Sequence, residues 1–154
     1  QTEYRVKAEQ PLTSRLLALL HKIDILPAEL VLVQAANESA WGTSRFARKG
    51  YNFFGIWCFV KGCGFVPGKR NAGATHEVAK FPSLSRATYT YMRNLNRHDA
   101  YTDLREIRER LRANQIPITG VALAEGLMNY SERGAAYVDE LQTMIRFNQE
   151  FLTE

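Results

Sequence analysis

Apolar residues recur at helical spacing over most of the 154-residue chain, with one interruption near its middle. Leu16, Leu17, Leu20 and Ile23 fall on one stripe and predict a first helix from about Thr13 to Asp24. Residues 1–11 are polar, end in Pro11 and read as an extended lead-in. Pro27 suits the first turn of a second helix, where a missing N–H removes no intrahelical bond. Along that helix Val31, Gln34, Ala35 and Glu38 share a face. Gly42 offers a stop, and a further helical turn from Thr43 to Lys49 would end at Gly50.

Between Tyr51 and Phe81 the helical period disappears. Six of the ten glycines lie from Gly50 to Gly73 among aromatic and β-branched residues, so a small irregular β region or long loop is expected, with room for one hairpin. Helical spacing resumes after Pro82. Ser83 or Ser85 can cap a helix carrying Leu84, Tyr91, Met92 and Leu95, and Thr102 one carrying Leu104, Ile107 and Leu111. Thr119 can cap a third with Val121, Leu123, Leu127 and Met128. In the last helix Tyr137, Leu141, Met144, Ile145, Phe151 and Leu152 form a stripe. The sum is a mainly α, α+β chain, read as a single domain over residues 1–154. Its helical lobe carries a small β or loop lobe, inserted after the helix that ends near Glu38.

An apolar content of 45% supports a true core at this length. No stretch is long enough to span a bilayer: Leu26 to Ala36 is interrupted by Pro27, Glu29 and Gln34. The net charge of +4 is unevenly spread. Between Glu38 and Glu77 there is no Asp or Glu, while Arg45, Arg48, Lys49, Lys61, Lys69 and Arg70 are all basic. Such a segment attracts an anionic partner, whether nucleic acid, anionic lipid or an acidic polysaccharide, or else is a solvated basic loop. The two cysteines, Cys58 and Cys63, are close enough to close a small disulfide loop, which would point to an oxidising compartment. A zinc site would need two more ligands and only His76 is near, so no metal is expected.

Most catalytic patterns are missing. There is no G-x-S-x-G elbow around Ser44, no phosphate-cradling G-x-x-x-x-G-K-[ST], and the cysteine spacing suits a bridge better than a thiolate activated by His76. Carboxylate chemistry is left, and it needs no cofactor. Glu38 ends an apolar helix beside aromatic residues, where burial and the helix C-terminus both disfavour the ionised form and suit a proton donor. Glu77 closes the acid-free segment and would stay ionised in a more open, basic lobe. Two carboxyls in different environments are what glycosidic cleavage usually requires.

The stretch E38-S-A-W-G42, followed by Y51-N-F-F-G-I-W57, resembles the signature of glycoside hydrolase family 73, the glucosaminidases that cleave bacterial cell-wall glycan. The likeness continues in T75-H-E77 and Y130-S-E-R-G-A-A-Y137 and covers roughly residues 15–150. It implies a lysozyme-like fold whose two lobes flank a glycan groove, with Glu38 as general acid. It also implies that a tyrosine of the late motif assists at the reacting sugar, Tyr130 in first place and Tyr137 as the alternative, and that Glu77 places or activates water. Trp41, Asn52, Phe54, Trp57 and Tyr137 become candidate glycan-binding residues. Four of them also have an ordinary reading: Trp41, one of Phe53 and Phe54, and Tyr137 as core, and Asn52 as the brace of an Asx turn. The family usually carries proline and aspartate within its late tyrosine motif, which this chain lacks, and a lysine where Trp57 stands.

The resemblance implies a monomer in the bacterial envelope, periplasmic or secreted, acting on a peptidoglycan strand. The bond would be the β-1,4 link from N-acetylglucosamine to N-acetylmuramic acid. A non-catalytic peptidoglycan-binding module and an enzyme acting on glycoprotein glycans are the alternatives. A nucleic-acid partner is not expected, because a basic, aromatic segment that stacks on bases leaves Glu38 unexplained.

Overall fold

The computed structural model describes residues 2–68 and 73–152, and the protein is a mainly α, α+β fold. Two compact units are resolved, residues 1–33 with 92–154 and Gln34–Tyr91, their boundaries falling inside helices α2 (Ala28–Glu38) and α4 (Leu84–Arg97).

In the first unit α1 (Leu12–Lys22) begins directly after Pro11, and the anticipated stripe is present. It faces water, however: Leu16, Leu17, Leu20 and Ile23 are all exposed and no residue of α1 is buried. Periodicity reveals that an apolar side exists, not that anything covers it. The lead-in is not extended throughout. It holds a 3₁₀ turn at Thr2–Tyr4, Val6 is buried, and Lys22 donates to the Tyr4 carbonyl at 2.9 Å.

α5 spans Thr102–Ala113, and Thr102 does not cap it: its hydroxyl donates to the Asp99 carbonyl at 2.8 Å. In the preceding 3₁₀ turn the cap is His98, whose Nδ1 accepts from the Ala100 N–H. Thr119 caps α6 (Gly120–Ala124) as expected. In α7 (Ala135–Phe147) Tyr137, Leu141 and Ile145 are buried. The helix breaks at Asn148, so Phe151, in α8 (Gln149–Leu152), leaves the stripe and is exposed. Leu30, Leu95, Leu104, Leu123, Leu127 and Leu141 are wholly buried in this unit.

Two arginines lie among them. Arg108 is 1% exposed and donates to the carbonyls of His21, Lys22, Asp24 and Ile25 and to the Asn96 side chain. Carbonyls at a helix C-terminus have no intrahelical donor, and a guanidinium with five N–H groups can serve several at once. Burial lowers the Arg108 pKa to about 10, with the Asp24 carboxylate opposing that shift. Arg112 grips Asp24 from the solvent side through Nε and Nη2, and this bonding holds the Asp24 carboxyl below its usual range. Arg105 is equally buried and donates to Leu95 and His98 carbonyls, both at 2.9 Å.

In the second unit α3 (Arg45–Gly50) is capped by Ser44, whose hydroxyl accepts from the Ala47 N–H at 3.1 Å. Ser83 caps α4 by accepting from the Arg86 N–H. The Gly-rich segment forms a three-stranded antiparallel sheet rather than one hairpin: β1 (Trp57–Cys58), β2 (Gly64–Phe65) and β3 (Glu77–Ala79), in the order β1-β3-β2. Trp57 pairs with Val78 on one side of β3 and Phe65 with Val78 on the other. A disulfide joins Cys58 at the end of β1 to Cys63 just before β2. Among the described residues no helix is long and apolar enough to cross a membrane.

Candidate functional site

The final turn of α2 is anchored from within. Gln34 is completely buried and accepts a hydrogen bond from the Tyr91 hydroxyl, and Tyr91 stacks on Phe54 with ring centroids 4.2 Å apart. Four residues beyond Gln34, and so on the same face, Glu38 is the last residue of the helix and is partly exposed.

The chain leaves α2 through an unusual turn. Ala40, Trp41 and Gly42 are all left-handed, with φ of 51°, 55° and 76°. For the two residues that carry a Cβ this costs about 1–2 kcal/mol each. Local bonds hold it: the Trp41 N–H donates to the Ala36 carbonyl and the Gly42 N–H to the buried Ser39 hydroxyl, both at 2.7 Å. The turn leaves the Trp41 residue 69% exposed, so it is a surface residue and not core.

Gly55 completes the surroundings of Glu38. Its φ is +63°, and a Cβ there would lie 2.8 Å from Glu38 Oε2, so both conformation and space call for glycine. Asn52 shapes this loop. Its amide donates to the carbonyls of Ile56 and Ala79, each at 2.8 Å, and its oxygen accepts from the Ile56 N–H at 3.0 Å. The loop backbone is thereby closed on itself and tied to β3. With Glu38 as the expected general acid, Gly55→Ala should cut the initial rate of the expected glycan cleavage roughly 10- to 100-fold, because small displacements of a reacting group are costly. The same variant should lose only about 1–2 kcal/mol of stability for the forced left-handed Cβ. Rates and thermal unfolding measured together check this, and a wild-type rate would remove Gly55 from the site.

Of the five residues expected to touch glycan, Trp41 and Trp57 are on the surface. Trp57 is 52% exposed and lies on the His76 imidazole, centroids 3.8 Å apart and planes within 9°. Asn52, Phe54 and Tyr137 are at most 2% exposed. They present neither amide nor ring face to solvent, and their observed parts are bracing and packing. The expectation for Glu77 changes as well. It is 6% exposed, not in an open lobe, and its two oxygens accept the N–H groups of Gly62 and Gly64 at 2.9 and 2.8 Å. Those amides flank Cys63, so strand β3 and the disulfide loop are clasped through this carboxylate. Cys58, Cys63 and Glu77 lie close enough to suggest a metal cluster, but the two sulfurs are bonded to each other.

In the first unit Tyr130 stacks parallel on the buried Tyr137, centroids 5.7 Å apart, and tilts against Tyr101 at 5.9 Å. Tyr130 is partly exposed, which makes it the accessible tyrosine of the two. The Asn129 amide donates to the Ala100 carbonyl and holds this turn to the 3₁₀ segment of Tyr101.

The family model named Glucosaminidase, described as mannosyl-glycoprotein endo-beta-N-acetylglucosaminidase, matches residues 14–150. The chain belongs to the glucosaminidase family. It is 36% identical over 134 residues to protein bax of Escherichia coli (strain K12), an alignment that covers 87% of this chain and 47% of that protein. The chain thus spans about half the length of that bacterial relative. No solved structure matches it significantly. Family membership points to a glycan-cleaving hydrolase.

Within this glucosaminidase chain, three residues near Glu38 and Tyr130 escaped the sequence reading. Gln34 carried a signal, since its polar side chain interrupts an apolar run one turn before Glu38 and on the same face. Gly55 was visible as part of the F-G-I motif, though not its approach to the carboxylate. Tyr101 carried none, because its contact with Tyr130 joins segments 29 residues apart.

Proposed function

We propose that this glucosaminidase is a bacterial envelope enzyme that hydrolyses peptidoglycan at the β-1,4 bond after N-acetylglucosamine. The observation that carries the reading is Glu38, partly exposed at the end of α2 with the Gly55 backbone against its carboxylate. In this reading Glu38 protonates the leaving oxygen, and the exposed rings of Trp41 and Trp57 offer flat faces to sugar C–H surfaces. Tyr130 steadies the reacting sugar, a part assigned on the family's motif. Since Glu77 already receives two backbone amides, we favour a substrate-assisted route. The acetamido oxygen of the substrate attacks the anomeric carbon as the glycosidic bond breaks, and water then opens the cyclic product. No second carboxylate need act as nucleophile.

Digestion of purified sacculi followed by identification of the new reducing-end sugar tests this. N-acetylglucosamine is expected. N-acetylmuramic acid would reassign the bond, and no new reducing ends would leave a glycan-binding module. The description of the matching family makes mannosyl glycoproteins the second substrate to assay.

A further inference from the structure

Basic charge is concentrated in one unit. Residues 34–91 hold eight Lys and Arg against two Glu, a net of +6, and the rest of the chain holds twelve against fourteen acids, a net of −2. Of the two acids in the basic unit, Glu77 is buried in its amide clasp, which leaves Glu38 as the accessible one. The +6 unit also has a shaped cationic surface: a concavity of about 470 Å³ lined by Thr43, Arg45, Arg48 and Lys49.

The walls of this concavity are built. α3 carries all three cations within one and a half turns and is fixed at its start by the Ser44 cap. At its end a Cβ on Gly50 would collide with the Phe65 ring, so α3 sits tightly on the sheet. The Arg45 guanidinium lies over the rings of Phe46 and Phe65, 5.2 and 5.6 Å from their centroids. Among the described residues no carboxylate forms an ion pair with Arg45, Arg48 or Lys49. Thr43, on the rim, donates to the Ala40 carbonyl within the left-handed turn that follows Glu38. Chain geometry therefore links the basic concavity to the proposed proton donor through five residues.

We propose that this concavity binds the carboxylates of the peptide stems on the glycan strand, so that the domain prefers peptide-bearing over denuded peptidoglycan. The proposal rests on the peptidoglycan reading above. A denuded strand offers three adjacent cations a single lactyl carboxylate per disaccharide, whereas each stem peptide carries several carboxylates and recurs along the strand beside the scissile bonds. Surface charge pairs are individually weak, so the effect is one of substrate choice and salt sensitivity and not of absolute recognition.

The test uses the Glu38→Gln protein in equilibrium binding to two preparations of soluble glycan strands, one carrying uncrosslinked stem peptides and one denuded by an amidase, which leaves one lactyl carboxylate per disaccharide. Peptide-bearing strands should bind about fivefold more tightly at low salt, the sum of two or three weak ion pairs. That difference should fall below about twofold when Arg48→Gln and Lys49→Gln are added, and when salt is raised until the Debye length shortens to about 3 Å, at roughly 1 M. Equal binding of the two preparations, or a preference that survives both substitutions in a protein with unchanged circular dichroism, overturns the proposal. If the doubled variant does not fold, salt dependence on the two strand preparations decides: a preference that raised salt leaves intact also overturns it. Reducing-end release by the wild type is scored separately, so absent cleavage refutes the hydrolase reading while the binding comparison still judges the stem-peptide one.

Discussion

Sacculi incubated with the Glu38→Gln protein should release new reducing ends at a rate 10²- to 10⁴-fold below wild type, the range a positioned general acid contributes. Glutamine keeps the size and shape of the side chain, so the close approach of Gly55 and the buried Gln34–Tyr91 bond beneath it are undisturbed. What disappears is the proton that the proposed mechanism transfers. Binding to sacculi should therefore persist within about twofold, since the exposed tryptophans and the basic unit are intact. A rate within tenfold of wild type would remove Glu38 from the acid's role, and parallel loss of rate and binding would make it a folding residue instead.

Arg108→Met should lose about 3–5 kcal/mol of stability, the cost of removing one partner from a buried polar network. That corresponds to a fall in the unfolding midpoint on the order of 10 °C for a chain of this size. The loss does not come from charge in the main. Nη1 reaches the carbonyls of Asp24 and Ile25 and the Asn96 oxygen, while Nη2 reaches those of His21 and Lys22, all between 2.8 and 3.3 Å. Methionine fills the volume but leaves these acceptors buried without a donor. Lysine restores the charge and at most three of the bonds, so Arg108→Lys should fall between wild type and Arg108→Met. Far-UV circular dichroism against denaturant measures all three. A loss under 1 kcal/mol for Arg108→Met would mean that water replaces the guanidinium.

Several helix starts were legible, because they rest on a local chemical device: Pro27 before α2, Ser83 before α4 and Thr119 before α6 stand where their side chains or missing N–H groups dictate. Ser44 was not expected as the cap of α3, and Thr102, which was expected to cap α5, does not. The sheet was not legible. Strands of two or three residues show no alternation, and the central strand β3 arrives last in the sequence. Arg105 and Arg108 sit in L104-R-E-I-R-E-R-L-R112, a run that reads as a solvated charged face. Only contact with carbonyls more than eighty residues away explains the burial of Arg108.

The candidate site divides in the same way. Glu38, Trp41 and Trp57 were readable from motif and neighbours, and they remain accessible. Asn52 and Phe54 belong to the same motif but serve it from inside, one as a clamp on the loop and the other as a floor beneath Tyr91. Sequence resemblance marks a motif's residues without separating those that meet the ligand from those that hold the ligand's neighbours in place. Burial makes that separation, and burial is set by segments as distant as β3 and α4.

Both tryptophans of the chain, Trp41 and Trp57, fall within residues 34–91, and both are largely exposed. The protein thus carries its own optical probe, confined to the unit that holds Glu38. Indole emission, sensitive to whatever covers a ring, will respond to any ligand laid on either tryptophan. The rest of the chain, built around Arg108, has only tyrosine and phenylalanine as aromatic residues besides histidine, so emission at tryptophan wavelengths reports on residues 34–91 without any label being added.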